Sequence, residues 1–214
     1  MNHAAPISPP LLAARIADEA LARRAELGWA VRVAVDGPVE ADTVALADAV
    51  ADVLTARAVP VARVSARDFL RARSLRLEHG DDPDGYLHGW YDLDALRREV
   101  LDPLGPAGSM RWLPRLRDPI TDRSVREPRR TAVPGTVVVL DGRFLLGALR
   151  DAVDVAVHLE VSPVARTRRV PADEAHLVLP AWDRYLTDVD PVAHADLVVR
   201  FDHPDRPALS TPKA

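Results

Sequence analysis

The 214-residue chain has no cysteine, which excludes disulfides, thiolate nucleophiles, thiolate metal ligation and thiol redox switching together. Lysine is almost as scarce. Lys213 is the only one, so 27 of the 28 basic residues are arginine, and any mechanism that needs a lysine as phosphate clamp, Schiff base or general base must draw on the extreme C-terminus. No apolar run approaches the roughly 20 residues of a membrane span, and the opening residues lack the basic, then apolar, then small-residue order of a secretory signal. A cytoplasmic location is expected. A net charge of -4 gives no general attraction to nucleic acid or to an anionic membrane. What is present, 48% hydrophobic and 28% charged residues, suits one folded globular domain over 1–214.

Leu11, Leu12, Ile16, Ala20 and Leu27 recur near helical spacing and predict an amphipathic helix over 10–28. Val31 to Val35 reads as a strand ending at Asp36-Gly37-Pro38. Asp42 then suits the cap of a helix with apolar positions at Val44, Leu46, Ala47, Val50, Val53 and Leu54, and Val61 to Ser65 reads as the next strand. Strand, helix and strand within about 35 residues form a βαβ unit, so a parallel α/β sheet is expected. Residues 70–134 change character, with arginine-rich and Gly/Pro-rich stretches around a helical segment near Leu93 to Leu101, and read as an insertion over one sheet edge. Thr136 to Leu140 has the apolar run of a central strand and stops at Asp141-Gly142. Val153 to Val161 and Leu197 to Phe201 are two further strands, with Ser162-Pro163 a helix start between them.

In a parallel sheet the ligand crevice lies beyond the strands' carboxyl ends, which directs attention to Gly37 to Val44, Arg67-Asp68, Asp92 and Asp141. Against the phosphate-loop pattern G-x-x-x-x-G-K-[ST], the stretch starts with Gly37 but carries Asp42, Thr43 and Val44 where glycine, lysine and a hydroxyl would stand. The bland alternatives are specific. Asp36 suits a turn, Asp92 the cap of the helix that follows, Arg67 a pair with Asp68, and Trp90-Tyr91, Trp112 and Trp182 either packing or the wall of a pocket for a planar ligand. The seven histidines show no metal-ligand spacing, so no metal is expected. Seven arginines between Arg111 and Arg130 are interleaved with Asp118, Asp122 and Glu127, which favours a solvated face over a nucleic-acid stripe.

Several motifs in order, V-A-V-D-G-P at 33–38, V-S-A-R-D-F-L-R-A-R at 64–73, Y-D-L-D-A-L at 91–96 and L-D-P-L-G-P-A-G-S at 101–109, are similar to those of the uridine kinase-like family of P-loop nucleoside kinases. T-D-R-S-V at 121–125, V-L-D-G-R-F-L at 139–145, Y-L-T-D-V-D-P at 185–191 and A-D-L-V-V at 195–199 extend the resemblance over most of the chain, in particular to short actinobacterial members. The resemblance implies a three-layer α/β fold of the P-loop NTPase and nucleoside kinase type, with a parallel central sheet and an arginine-bearing lid, here shortened. Such kinases hold ATP phosphates with loop amides, a lysine and magnesium, and use an aspartate to deprotonate the nucleoside. That aspartate aligns with Arg67, which cannot act as a base at neutral pH.

The same alignment gives Asp92 as the match to a sugar-binding acid and Asp141 as the match to the acid that supports magnesium or water, and it gives Arg166, Arg168 and Arg169 as the match to the lid arginines. Asp141, Arg67 and Asp92 are therefore the candidate catalytic side chains, and Asp36, Gly37, Asp68, Tyr91, Arg166 and Arg169 the candidate ligand contacts. The expected function is binding of a nucleoside-like or small polar ligand in the inherited acceptor cleft, with ATP-dependent phosphoryl transfer lost and no ATP/Mg cofactor. The alternatives are a repurposed ATP-independent enzyme and an active nucleoside kinase with an atypical ATP site. The expected partner is a small molecule, not nucleic acid or membrane, and a homo-oligomer is compatible with the sequence.

Overall fold

The computed structural model describes residues 4–78 and 80–210; His3, His79 and Lys213 lie outside them. Seven strands form one sheet: β1 (Ala4–Pro6), β2 (Val31–Asp36), β3 (Val61–Ser65), β4 (Val137–Gly142), β5 (Val155–Glu160), β6 (Leu197–Arg200) and β7 (Ala208–Ser210), in the order β1-β7-β6-β5-β2-β4-β3. The five strands from β6 to β3 run parallel, while β7 pairs antiparallel with both β6 and β1. Every residue of β2 and of β4 is buried, as expected for central parallel strands covered on both faces.

The alternation along these strands sorts the core into two halves. Val31, Val33, Val35, Val137 and Val139 face α1 (Pro9–Glu26) and α2 (Thr43–Ala56), while Ala34, Val138, Leu140 and Ala156 face the opposite layer. That opposite layer contains the insertion. Its Tyr86, Tyr91, Leu96, Leu101 and Trp112 pack with α5 (Ala175–Val189) into the same cluster, so residues 70–134 cover a sheet face, not merely an edge, because they bring enough apolar surface to bury. Within them lie α3 (Leu93–Leu96), which continues as a wider turn over Arg97–Leu101, and two short antiparallel ribbons. After β5 comes α4 (Pro163–Arg169), capped by Ser162 at the Ala165 amide (3.3 Å) and joined to α5 by residues 170–174. Among the described residues no helix is long and apolar enough to cross a membrane.

Candidate functional site

The strand order changes direction at β2, whose neighbours β4 and β5 lead to opposite halves of the sheet, and this is where an α/β sheet opens a crevice. Asp36 and Asp141 stand at that end, in register with Gly142 and Val35 respectively. The loop from β2 to α2 begins at Gly37, whose amide donates to the Gly142 carbonyl at 3.2 Å. A Cβ there would lie 2.9 Å from the Leu159 Cβ, so the loop can pass only as glycine. A single 3₁₀ turn, Val39–Ala41, follows. Asp42 adopts the left-handed region (φ 47°), and its carboxylate accepts the Ala45 amide at 3.2 Å, capping α2.

Glu40 has both carboxylate oxygens buried and no hydrogen-bond partner among the described residues. Burial lifts its pKa above the usual carboxylate range, and its own backbone amide together with the positive charges of Arg143, Arg166 and Arg169 offsets only part of that. Arg169 straps the loop down. Its Nη1 donates to the Glu40 carbonyl (3.3 Å) and the Phe201 carbonyl (3.4 Å), and its Nη2 to the Asp202 carbonyl.

The two strand-end acids differ sharply in their surroundings. The fully enclosed Asp36 accepts the Leu145 amide (2.9 Å) and the Tyr185 hydroxyl (3.1 Å) and meets His158 Nδ1 at 2.8 Å, so its carboxylate ties β2, β5 and α5 together. The Tyr185 hydroxyl is pushed far up by burial and by the Asp36 charge beside it. Asp141 is nearly as buried, but it accepts Ser65 Oγ at 3.2 Å and lies 2.6 Å from Arg63 Nη1. Burial raises its pKa, with Arg63 pulling the other way.

Above the loop is a cavity of about 330 Å³ walled by Arg67, Tyr86, Trp90, Tyr91, Asp141 and Arg143, with Asp42 and Thr43 at its loop side. Of the nine positions singled out in the sequence, Arg67, Tyr91 and Asp141 meet here, and Gly37 shapes the loop beneath. The other five stand elsewhere. Asp36 is consumed by the network just described. Asp68 is half-buried and does not line the cavity; its pKa is raised by burial, although Arg115 opposes the shift. Asp92 caps α3 at the Ala95 amide (3.0 Å) and faces a separate hollow with Leu116 and Arg117, so it does not join Asp141. Arg166 is buried against Asp183 (2.9 Å), and Arg169 serves as the strap. Glu40, Arg63, Tyr86 and Arg143 join the site beyond the nine positions that the sequence marks. Only Arg143 carried a usable signal, since it follows Asp141-Gly142 at the end of a central strand.

Neither a protein-family model nor a curated protein sequence matches the chain. Solved structures do. A "possible uridine kinase" from Bacillus stearothermophilus superposes with a TM-score of 0.67 at 17% identity, covering 86% of this chain and 98% of that one. D-glycerate 3-kinase from Cryptococcus neoformans gives 0.56 at 13% identity over 84% and 85%, and the YGR205w protein gives 0.64 at 9% identity over 96% and 99%. With its mostly parallel sheet and helices on both faces, the chain has the P-loop kinase-like fold that these structures share.

Proposed function

We propose that this kinase-fold chain does not transfer phosphate from ATP and instead binds a small polar, nucleoside-like ligand in the cavity above the β2–α2 loop. The carrying observation is that the loop is already furnished with the protein's own carboxylates. A helix N-terminus after the first parallel strand attracts phosphate because its amides are unpaired and its dipole is positive there. Here Asp42 takes one of those amides, and Glu40 sits in the loop among Arg143, Arg166 and Arg169. A polyphosphate seated on the loop amides, away from the arginines of the cavity wall, would meet these carboxylates, each opposing its charge by roughly 4 kcal/mol at about 4 Å and an effective dielectric near 20. Asp141, the acid best placed to support a metal, is engaged by Arg63 and Ser65. These residues do not fit a magnesium polyphosphate.

The cavity's size falls within the range of small-molecule sites. A second reading, ATP-independent acid/base chemistry, has one observation in its favour, the burial-raised pKa of Asp141 on the cavity wall. Calorimetric titration tests the main reading. Mg-ATP is expected to give no saturable heat below the millimolar range, whereas micromolar binding would establish an active kinase site of unusual design. Should a turnover be found, Asp141→Asn abolishing it with the ligand still bound would favour the second reading.

A further inference from the structure

Two guanidinium groups line the cavity, and among the described residues neither has a carboxylate hydrogen-bonded to it. Arg143 is held by neutral partners: its Nε donates to the Tyr91 hydroxyl at 3.0 Å and its Nη1 to the Tyr86 hydroxyl, and its Cζ lies 5.7 Å from the Tyr91 ring centroid and 5.4 Å from that of Tyr86. The Tyr91 hydroxyl stays un-ionised, since burial pushes its pKa well up. Arg67 makes no side-chain hydrogen bond or ion pair among the described residues and opens to solvent in the same cavity. The nearby acids do not fill the role. Asp141 is taken by Arg63, Asp42 caps α2, and Glu40 and Glu174 reach Arg143 only through space.

A guanidinium partly shielded from water, as the half-buried Arg143 is, is ordinarily matched by a carboxylate or phosphate held by paired N–H donors, and the exposed Arg67 beside it can share such an anion. Burial lowers the Arg143 pKa to about 10, and repulsion from Arg67 adds to that, while the charges of Glu40 and Glu174 oppose the shift without cancelling it. A neutral ligand such as an unmodified nucleoside would displace water from both cations and compensate neither. A ligand with one oxyanion would satisfy both.

We infer that this cavity selects a small organic oxyanion, a carboxylate or a phosphate monoester, with its charge met by Arg143 and Arg67 and its body beside the half-buried Trp90. The inference rests on the reading of this cavity as the binding site and sharpens it: the charge of the ligand, not a sugar or base, sets specificity. Arg143 is the specificity-determining residue, and the two tyrosines position its fork.

Three probes with a common phenyl body test it: benzoate, phenyl phosphate and neutral benzamide, each titrated by calorimetry and by thermal shift at constant ionic strength. At least one of the two anions is expected to bind tenfold or more tightly than benzamide, and the tighter of the two identifies the head group. Arg143→Leu should erase the preference. Arg67→Ala, at an exposed position that leaves folding intact, should reduce it several-fold and covers the case in which Arg143→Leu does not fold. Equal affinity for all three probes, a preference that survives both substitutions, or no response to either anion overturns the inference. Mg-ATP titrated into the same samples separates the two failures, since micromolar ATP binding sinks the proposed function while an Arg143-dependent preference for the phenyl anions stands by itself.

Discussion

At the scale of single residues, Glu40 is the side chain whose environment disagrees most with its chemistry. Its carboxylate is shielded from water without a hydrogen bond, and the cost of burial outweighs the attraction of Arg143, Arg166 and Arg169. Its pKa in the folded chain therefore lies above its ordinary value. Between those two values the folded state keeps a proton that the unfolded state has released, so the contribution to stability falls as pH rises through that window and stays low above it. Glu40→Gln removes the part of this penalty that comes from burying a charge, and with it the pH dependence. The variant should be the more stable chain at pH 7 in urea titrations, by a margin that solvent screening of the half-buried site keeps small, with the gap closing as pH falls toward 4. A gap that ignores pH, or a parent chain that is the more stable at pH 7, would mean that the three arginines hold the carboxylate favourably. Nothing in Val39-Glu40-Ala41-Asp42 announces this in the sequence, because which of two neighbouring acids turns inward is set by the left-handed kink at Asp42.

Elements were far more legible than contacts. Parallel strands buried on both faces are mostly apolar, which places Val31–Asp36, Val137–Gly142 and Val155–Glu160 within two residues of where the pattern predicts them, and the part-exposed Val61–Ser65 and Leu197–Arg200 fall equally close. The site depends on single side chains, and there the same logic fails. Arg143 is one of 27 arginines, and only the fold brings it between Tyr86 and Tyr91. Two kinds of element were hidden. The three-residue strands β1 and β7 are too short to show alternation, and α5 is interrupted in the sequence by Pro180 at an exposed position six residues into the helix. Proline there removes the amide that would bond to the His176 carbonyl. Pro180→Ala should restore that bond and, after the larger entropy of its unfolded chain is subtracted, stabilise the protein by about 1–2 kcal/mol. Thermal denaturation would show this as a rise of a few degrees; an unchanged or lowered midpoint would show that α5 has adapted its axis to the proline and gains nothing from the missing bond.

On the scale of the whole molecule, the two ends of the described chain close one side of the sheet together. β7 lies between β6 and β1, with Leu209 opposite Val199 on one side and Ala5 on the other, and the Ile7 amide extends the contact to the Pro207 carbonyl at 3.0 Å. The parallel core would otherwise end at β6 with an unpaired row of backbone groups beside the buried Leu197, Val198 and Val199. Such an edge is a template for pairing with another chain. Deleting residues 207–214 should therefore release β1 as well as β7, since β1 has no other strand partner among the described residues. The expected result is a melting midpoint lower by about 5–10 °C, the loss of roughly 2–4 kcal/mol in a domain of this size. Association that grows with protein concentration should accompany it, followed by light scattering. The cavity lies on the far side of β2 from this edge, so benzoate and phenyl phosphate should still be discriminated from benzamide by whatever fraction stays monomeric. A truncated chain that remains monomeric with an unshifted midpoint would mean that the antiparallel cap is ornamental and that β6 is protected by its own side chains.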